Sequence, residues 1–397
     1  MANNSRRFVR ATGRHGVKAV IVCGVLALAG LIRATTTEAH KAITSPYNFN
    51  EHVLPIVEER CAACHFEGGP TPMALTSYRD AVPWAESIRE QLVGERMPPW
   101  YADPVGPAVR GGHSITTREL DILITWAIGG APQGTADTDH PPYTPPEPRW
   151  ERGTPDLTLE IPTEQVVPAG TMEQDEEFTL ATDLKEETWV NVVDVMPGNR
   201  SMVRDAVVSL ENGLVLATWV PGYEALPAPS DAAFKLPANA RLVLQMHYKK
   251  HYLDEQNDVA DRTTVGLYFT DAPLSGRSIE AVTLQGPDAG NDLPRTVTFG
   301  GATLESNARI VSVRPSFDRA YQTVSCEGVL ADGRRVTLLN LNAAQPQWYR
   351  RYWLLEPIEL PKGAKIEVTA TPAQPDEFAI PIAKRYPLQV GIDYVPQ

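Results

Sequence analysis

Three spacings of apolar residues follow one another along the chain. Residues 19–32, "AVIVCGVLALAGLI", form an uncharged apolar run. From residue 45 to 135 the spacing is that of helices. In "NFNEHVLPIVEERCAACH" apolar residues fall at 53, 54, 56 and 57. In "SYRDAVPWAESIREQLVGERM" a serine stands ready to cap, and Val82, Ile88, Leu92 and Val93 follow it. In "TTRELDILITWAIGG" Leu120, Ile124 and Ile128 make one stripe between Thr117, read as the cap, and a glycine pair that stops the helix. Three short helices are predicted. From residue 157 the period changes to that of strands. "LTLEIP", "WVNVVDVM", "DAVVSL", "LVLATWV", "ARLVLQMHY" and "KIEVTATP" are among about a dozen short runs rich in Val, Leu and Thr with turn residues between them.

The pattern predicts a multidomain chain. A small all-α domain spans 45–135, and two all-β antiparallel sandwiches occupy 157–273 and 274–397, divided near "DAPLSGR" (271–277). Between the α and β parts, 132–156 holds seven of the 35 prolines. That composition makes 136–156 a semi-extended linker. With 43% hydrophobic and 21% charged residues the chain has the means to form cores. The formal net charge of −13 argues against a phosphate-binding face, so no nucleic acid is expected as partner. It suits docking to a basic-faced protein.

The apolar run at 19–32 follows a basic stretch, "RRFVRATGRHGVK", and precedes small residues. Residues 1–40 therefore read as an export signal, with an uncleaved membrane anchor as the alternative. The mature protein is expected in the periplasm or elsewhere outside the cytoplasm. Cys23 belongs to that segment and Cys326 stands alone in "YQTVSCEGV", where a buried thiol is expected. The remaining two cysteines are spaced for chemistry.

Those two lie in "RCAACHFEGG" (60–69). A Cys-x-x-Cys-His run offers two thiols at the separation of the haem vinyl groups and an imidazole next to the second thiol. A dithiol redox pair is expected to follow a strand, and here a helix precedes. A zinc site needs a second Cys or His pair nearby. One covalent haem c on Cys61 and Cys64 is the expectation, with His65 as axial iron ligand.

The segment 45–135 resembles the c-type cytochrome domain. The resemblance implies a second axial ligand, for which Met97 in "GERMPPWYADP" is the choice, ahead of Met73 and His113. Iron held by Met and His has no open position, which favours electron transfer over haem catalysis. In that domain Trp84 and Trp100 read as packing residues around the haem.

Residues 157–395 resemble the copper type II, ascorbate-dependent monooxygenases, the peptidylglycine and dopamine hydroxylase type. The stretches that carry the likeness are "VMPGNRSMV", "LPANARLVLQMHY", "DRTTVGLYF" and "LLEPIELPKGAKIEV". It implies two eight-stranded jelly rolls, each with one copper, facing each other across solvent. The ligands are mostly missing. Arg204 and Asp205 stand where the family has a His pair, Ser316 and Asp318 where it has His-x-His, and "RYPLQVGIDYV" has no Met. His247 survives and, with His251 nearby, is a weak copper candidate only. Bound copper is not expected. The chain thus reads as an exported monohaem electron carrier whose β region is a docking or scaffold module, alone or within a larger redox complex. An active copper monooxygenase fed by the cytochrome, and a haem peroxidase-like enzyme, are the alternatives.

Overall fold

The computed structural model describes residues 44–397 apart from 113, 136–140, 289–294 and 375–385. The expected export segment and His113 lie outside the described residues. Asn48 caps a π-helical turn, Phe49–Val53, by accepting the Glu51 N–H, and this runs into α1 (Leu54–Arg60). The second helical stretch is broken. Ser77 caps α2 (Tyr78–Ala81), a 3-10 turn follows at Val82–Trp84, and α3 (Ala85–Val93) resumes. Pro83 sits at the break, where it removes an N–H from the helical ladder. The last helix, α4 (Thr117–Ile128), is capped by Thr116 rather than Thr117. Only Thr116 has a glutamate three residues on, and Thr116 and Glu119 close a reciprocal capping box. Four short helices therefore replace three. Their core is Phe49, Val53, Val57, Leu92, Leu123 and Trp126.

The β region is all antiparallel, with eighteen strands among the described residues. The first ten are β1 (Leu157–Glu160), β2 (Gln165–Val167), β3 (Glu173–Ala181), β4 (Thr188–Met196), β5 (Val203–Leu210), β6 (Val215–Trp219), β7 (Phe234–Leu236), β8 (Arg241–Lys249), β9 (Val259–Asp261) and β10 (Thr264–Thr270). They form sheets β1-β10-β4-β7 and β3-β8-β5-β6, with a β2-β9 ribbon. The other eight are β11 (Glu280–Gln285), β12 (Val297–Thr303), β13 (Ala308–Ser316), β14 (Tyr321–Val329), β15 (Arg335–Ala344), β16 (Tyr352–Leu360), β17 (Lys365–Pro372) and β18 (Gln389–Pro396). They form β11-β18-β13-β16 and β12-β17-β14-β15. Leaving out the ribbon, the two sets have the same order. Each pair of sheets closes on its own apolar core, which is what alternating strands require. Cys326 is buried in the second of these cores, as expected for it.

Two features join the parts. After α3 the chain does not stay with the helices. Residues 100–110 run as a strap along the second sandwich, with bridges Ala102↔Leu341 and Val109↔Leu354 and with Tyr101 inside its core. The sandwiches also meet directly, in contrast to two domains facing each other across solvent. Arg351 reaches from the second to donate to the Val215 and Leu216 carbonyls of β6. Trp353 lies 6.4 Å from Phe234, and Val311 and Val395 join the first core. Residues 45–397 accordingly form one compact unit. Among the described residues no helix is long and apolar enough to cross a membrane.

Candidate functional site

α1 ends at Cys61, and the chain turns back so that Cys64 and His65 donate their N–H groups to the Cys61 carbonyl. This local turn puts Cys61, Cys64 and His65 in one place. His65 Nδ1 lies 3.3 Å from the Met73 carbonyl, which also accepts from Thr71 Oγ1 at 2.9 Å. A carbonyl only accepts, so Nδ1 carries the proton and Nε2 keeps the lone pair. Burial lowers the His65 pKa, favouring the neutral ring. Burial pushes the Cys61 thiol up to about 12. Cys64 rises only to about 11, because Arg350, Arg200 and Arg204 oppose the burial. Thiolate chemistry needs the opposite shift, so both sulfurs are held as neutral thiols.

The β region supplies the other side of this site. The turn after β6, Val220–Tyr223, is closed by Tyr223 N–H to the Val220 carbonyl at 3.0 Å. Gly222 takes φ +74 there, and a Cβ on it would stand 3.0 Å from Cys64 Sγ and 3.4 Å from Ala63 Cβ. Pro221 before it completes a type II turn. Arg200 stacks on Phe66 at 5.5 Å. Met97 is half-buried in the loop after α3, and Arg350 holds that loop through the Pro99 carbonyl at 2.7 Å. Arg350 also lies over the Tyr223 ring at 5.3 Å, so the Met97 loop and the turn that faces Cys64 share it as a neighbour. Met73 instead offers His65 its carbonyl while its side chain packs on the helical core. Of the two tryptophans, Trp84 is 38% exposed, and Trp100 packs on Tyr352 of the second sandwich at 5.5 Å.

Gly222→Ala is expected to destabilise the protein by more than Gly213→Ala. Both glycines have positive φ, costing an L-residue about 1–2 kcal/mol. Only Gly222 has a neighbour to displace, since nothing lies within 4 Å of Gly213's missing Cβ. Equal losses in denaturant titrations of the two variants would mean that the turn does not press on Cys64.

At the positions that match the resembled family's copper ligands, the structure shows hydrogen-bonded side chains instead. His247 is 2% exposed in β8, in register with Asp175 of β3 and Asp205 of β5. Its Nδ1 meets Asp175 at 2.6 Å and its Nε2 meets Glu173 at 3.0 Å. Both ring nitrogens face carboxylates, on opposite sides of the ring, so no single point collects all three groups. His251 accepts the Leu253 N–H and caps a 3-10 turn. Asp205 takes a hydrogen bond from Tyr386 at 2.7 Å, whereas Arg204 donates to the Ser201 carbonyl. Asp175, Glu177, Asp205, His247 and Tyr386 line a cavity of about 310 Å³. Ser316 donates to the Pro387 carbonyl, and Asp318 accepts from Arg319 and Tyr321. Among the described residues no group of three or more His, Cys, Asp or Glu is placed to hold a metal ion.

Sequence reasoning singled out the cysteine motif but missed Arg200, Gly222 and Arg350. Pro221-Gly222 was the one available signal, as a turn. Nothing local pointed to Arg350.

No protein-family model matches the chain, and neither does any curated protein. Solved structures with a partial likeness include the major capsid protein P2 of bacteriophage PM2, at 10% identity over 60% of this chain and 96% of that one, TM-score 0.28. Allantoicase from Saccharomyces cerevisiae shares 8% identity over 63% and 84%, TM-score 0.18. Oxalate decarboxylase from Bacillus subtilis shares 8% over 70% and 81%, TM-score 0.14. At these scores none of them bears on the activity.

Proposed function

We propose that this protein is an exported c-type cytochrome that transfers electrons. One haem would be held covalently by Cys61 and Cys64, with His65 and Met97 as its axial ligands. The observation that carries this reading is the His65 ring. Its Nδ1 is tied to the Met73 carbonyl, which leaves the Nε2 lone pair available to a metal. A backbone partner on the far nitrogen is how protein ligands fix an imidazole toward a metal. The donor set fits the group. Two half-buried neutral thiols with two residues between them suit thioether bonds and disfavour a redox dithiol or a zinc thiolate. When bound, haem supplies a one-electron ferric–ferrous couple. The chain's own residues hold it, fix the His65 ring and screen it with the Gly222 turn.

The β region serves in this reading as a docking and scaffold module. Its strand order, repeated in both sandwiches, is that of a jelly roll, which supports a relationship to the copper monooxygenases in fold. The residues at the ligand positions support neither copper centre. The acidic net charge suits a basic-faced redox partner outside the cytoplasm.

The test is elemental analysis of purified, haem-loaded protein. One iron per chain and no copper after incubation with copper and dialysis is the expected result. Tightly held copper would replace the electron-carrier reading with monooxygenase chemistry. An oxidised spectrum without the near-infrared sulfur-to-iron band would remove Met97 as ligand and favour a peroxidase-like enzyme.

A further inference from the structure

Arg350 lies between β15 and β16 and is 4% exposed. Among the described residues no Asp or Glu is paired with it, and its Nε is buried without an acceptor. A guanidinium taken out of water without a counter-charge is costly, and an orphaned N–H adds to the cost. The plane lies over Trp100 at 5.7 Å and over Tyr223 at 5.3 Å. A leucine would fill the space between those rings without either penalty. What a leucine lacks is a donor. Arg350 uses its own on the Pro99 carbonyl, at 2.7 Å and two residues past Met97.

Met97 hangs between two fixed points. On the helical side its N–H donates to the Gln91 carbonyl at 3.3 Å, and Arg96 Nε meets Gln91 Oε1 at 3.1 Å. On the other side the chain joins the second sandwich within a few residues. Trp100 packs on Tyr352, the Tyr101 carbonyl accepts from Asn342 N–H at 2.8 Å, and Asp103 N–H donates to the Asn340 carbonyl at 2.9 Å. Only Pro98 and Pro99 lie between Met97 and Trp100. Each proline ring fixes one φ, so few torsions separate the Met97 side chain from the carbonyl that Arg350 clamps. We propose that Arg350 is a positioning residue for Met97, through which the second sandwich sets how firmly the sixth ligand stays on the iron. This rests on the function proposed above and deepens it. The β region then takes part in ligation, beyond docking and scaffolding.

The experiment uses full-length, haem-loaded ferric protein, with imidazole as the probe. Imidazole takes the sixth position only while Met97 is off, so its affinity rises with the population of that state. The variants are Arg350→Leu, Pro99→Gly, their combination, and Arg334→Gln. Arg334 is an exposed arginine of the same sandwich, paired with Asp332. Arg350→Leu removes one hydrogen bond from a charged donor. It is expected to bind imidazole about tenfold more tightly and to weaken the near-infrared sulfur-to-iron band. Its denaturant midpoint should not fall, because an unpaired buried charge has been removed. Pro99→Gly leaves the clamp in place but frees a torsion between it and Met97, and should act in the same direction. In the combined variant Arg350→Leu should add little, since the lever is already loose. Arg334→Gln should bind imidazole as wild type does. A haem-loaded Arg350→Leu with wild-type affinity and band overturns the proposal. So does full additivity in the combined variant, which would place the action of Arg350 elsewhere, or an equal effect of Arg334→Gln, which would assign it to net charge. If Arg350→Leu does not fold, Pro99→Gly decides, and wild-type affinity there overturns the lever. Wild-type protein that carries covalent haem but shows no sulfur-to-iron band would instead overturn Met97 as ligand, and protein without covalent haem the proposed function itself.

Discussion

The double substitution Cys61→Ser, Cys64→Ser is expected to abolish covalent haem in the full-length protein, with acid–acetone extraction removing all colour that wild type retains. The reason is chemical. A serine hydroxyl keeps the shape of the site but does not form a stable thioether with a vinyl group. The substitution is conservative for packing, since both sulfurs are held as neutral thiols by burial and no ion pair is lost. The fold therefore survives, and circular dichroism of the variant should match that of wild-type protein produced without haem. His65→Ala is the companion. It leaves both thiols and removes the ring that Met73 orients, so haem stays attached while the low-spin spectrum is lost. If the double serine variant kept haem through extraction, Cys61 and Cys64 would not be its anchors, and the proposed function would fall.

How much of this site is written in the sequence depends on distance along the chain. Cys61, Cys64 and His65 are contiguous, and one turn after α1 brings them together, so their association is legible at sight. The helices are legible too, except where one residue decides. Pro83 breaks the second helix, and Glu119 selects Thr116 over Thr117 as cap. Both signals were present but weaker than the apolar stripe that surrounds them. Arg350 is another matter. It stands 285 positions after His65, and only the strap of residues 100–110 on the second sandwich explains why it meets the helical segment. The identities of Arg204, Asp205, Ser316 and Asp318 are visible in the sequence. The partners of His247 are not, because it finds Asp175 and Glu173 through strand register, which no local pattern fixes.

Asp393→Asn is expected to be the most destabilising single change in the β region, by about 3–5 kcal/mol. Asp393 is fully buried in β18 and accepts from Arg314 of β13, from Arg351 and from Ser312. Arg351 in turn holds β6 of the other sandwich through two carbonyls. The asparagine keeps the volume but leaves two buried guanidiniums without a negative charge. It also misaligns the residue that joins the sandwiches. Ser312→Ala removes one hydrogen bond only and should cost about 1 kcal/mol. The pH dependence separates charge from shape. Burial alone would raise the Asp393 pKa, but Arg314 and Arg351 more than offset it and hold the carboxyl below its usual range. Its stabilisation is then complete above about pH 3.9, the unfolded value, and is lost only as the pH falls through the lower folded value. The gap between wild type and Asp393→Asn in denaturant midpoint should therefore be constant from neutral pH down to about 4 and close below it. A gap that does not change down to the acid limit of folding would mean that the carboxylate acts through shape and hydrogen bonding rather than through charge.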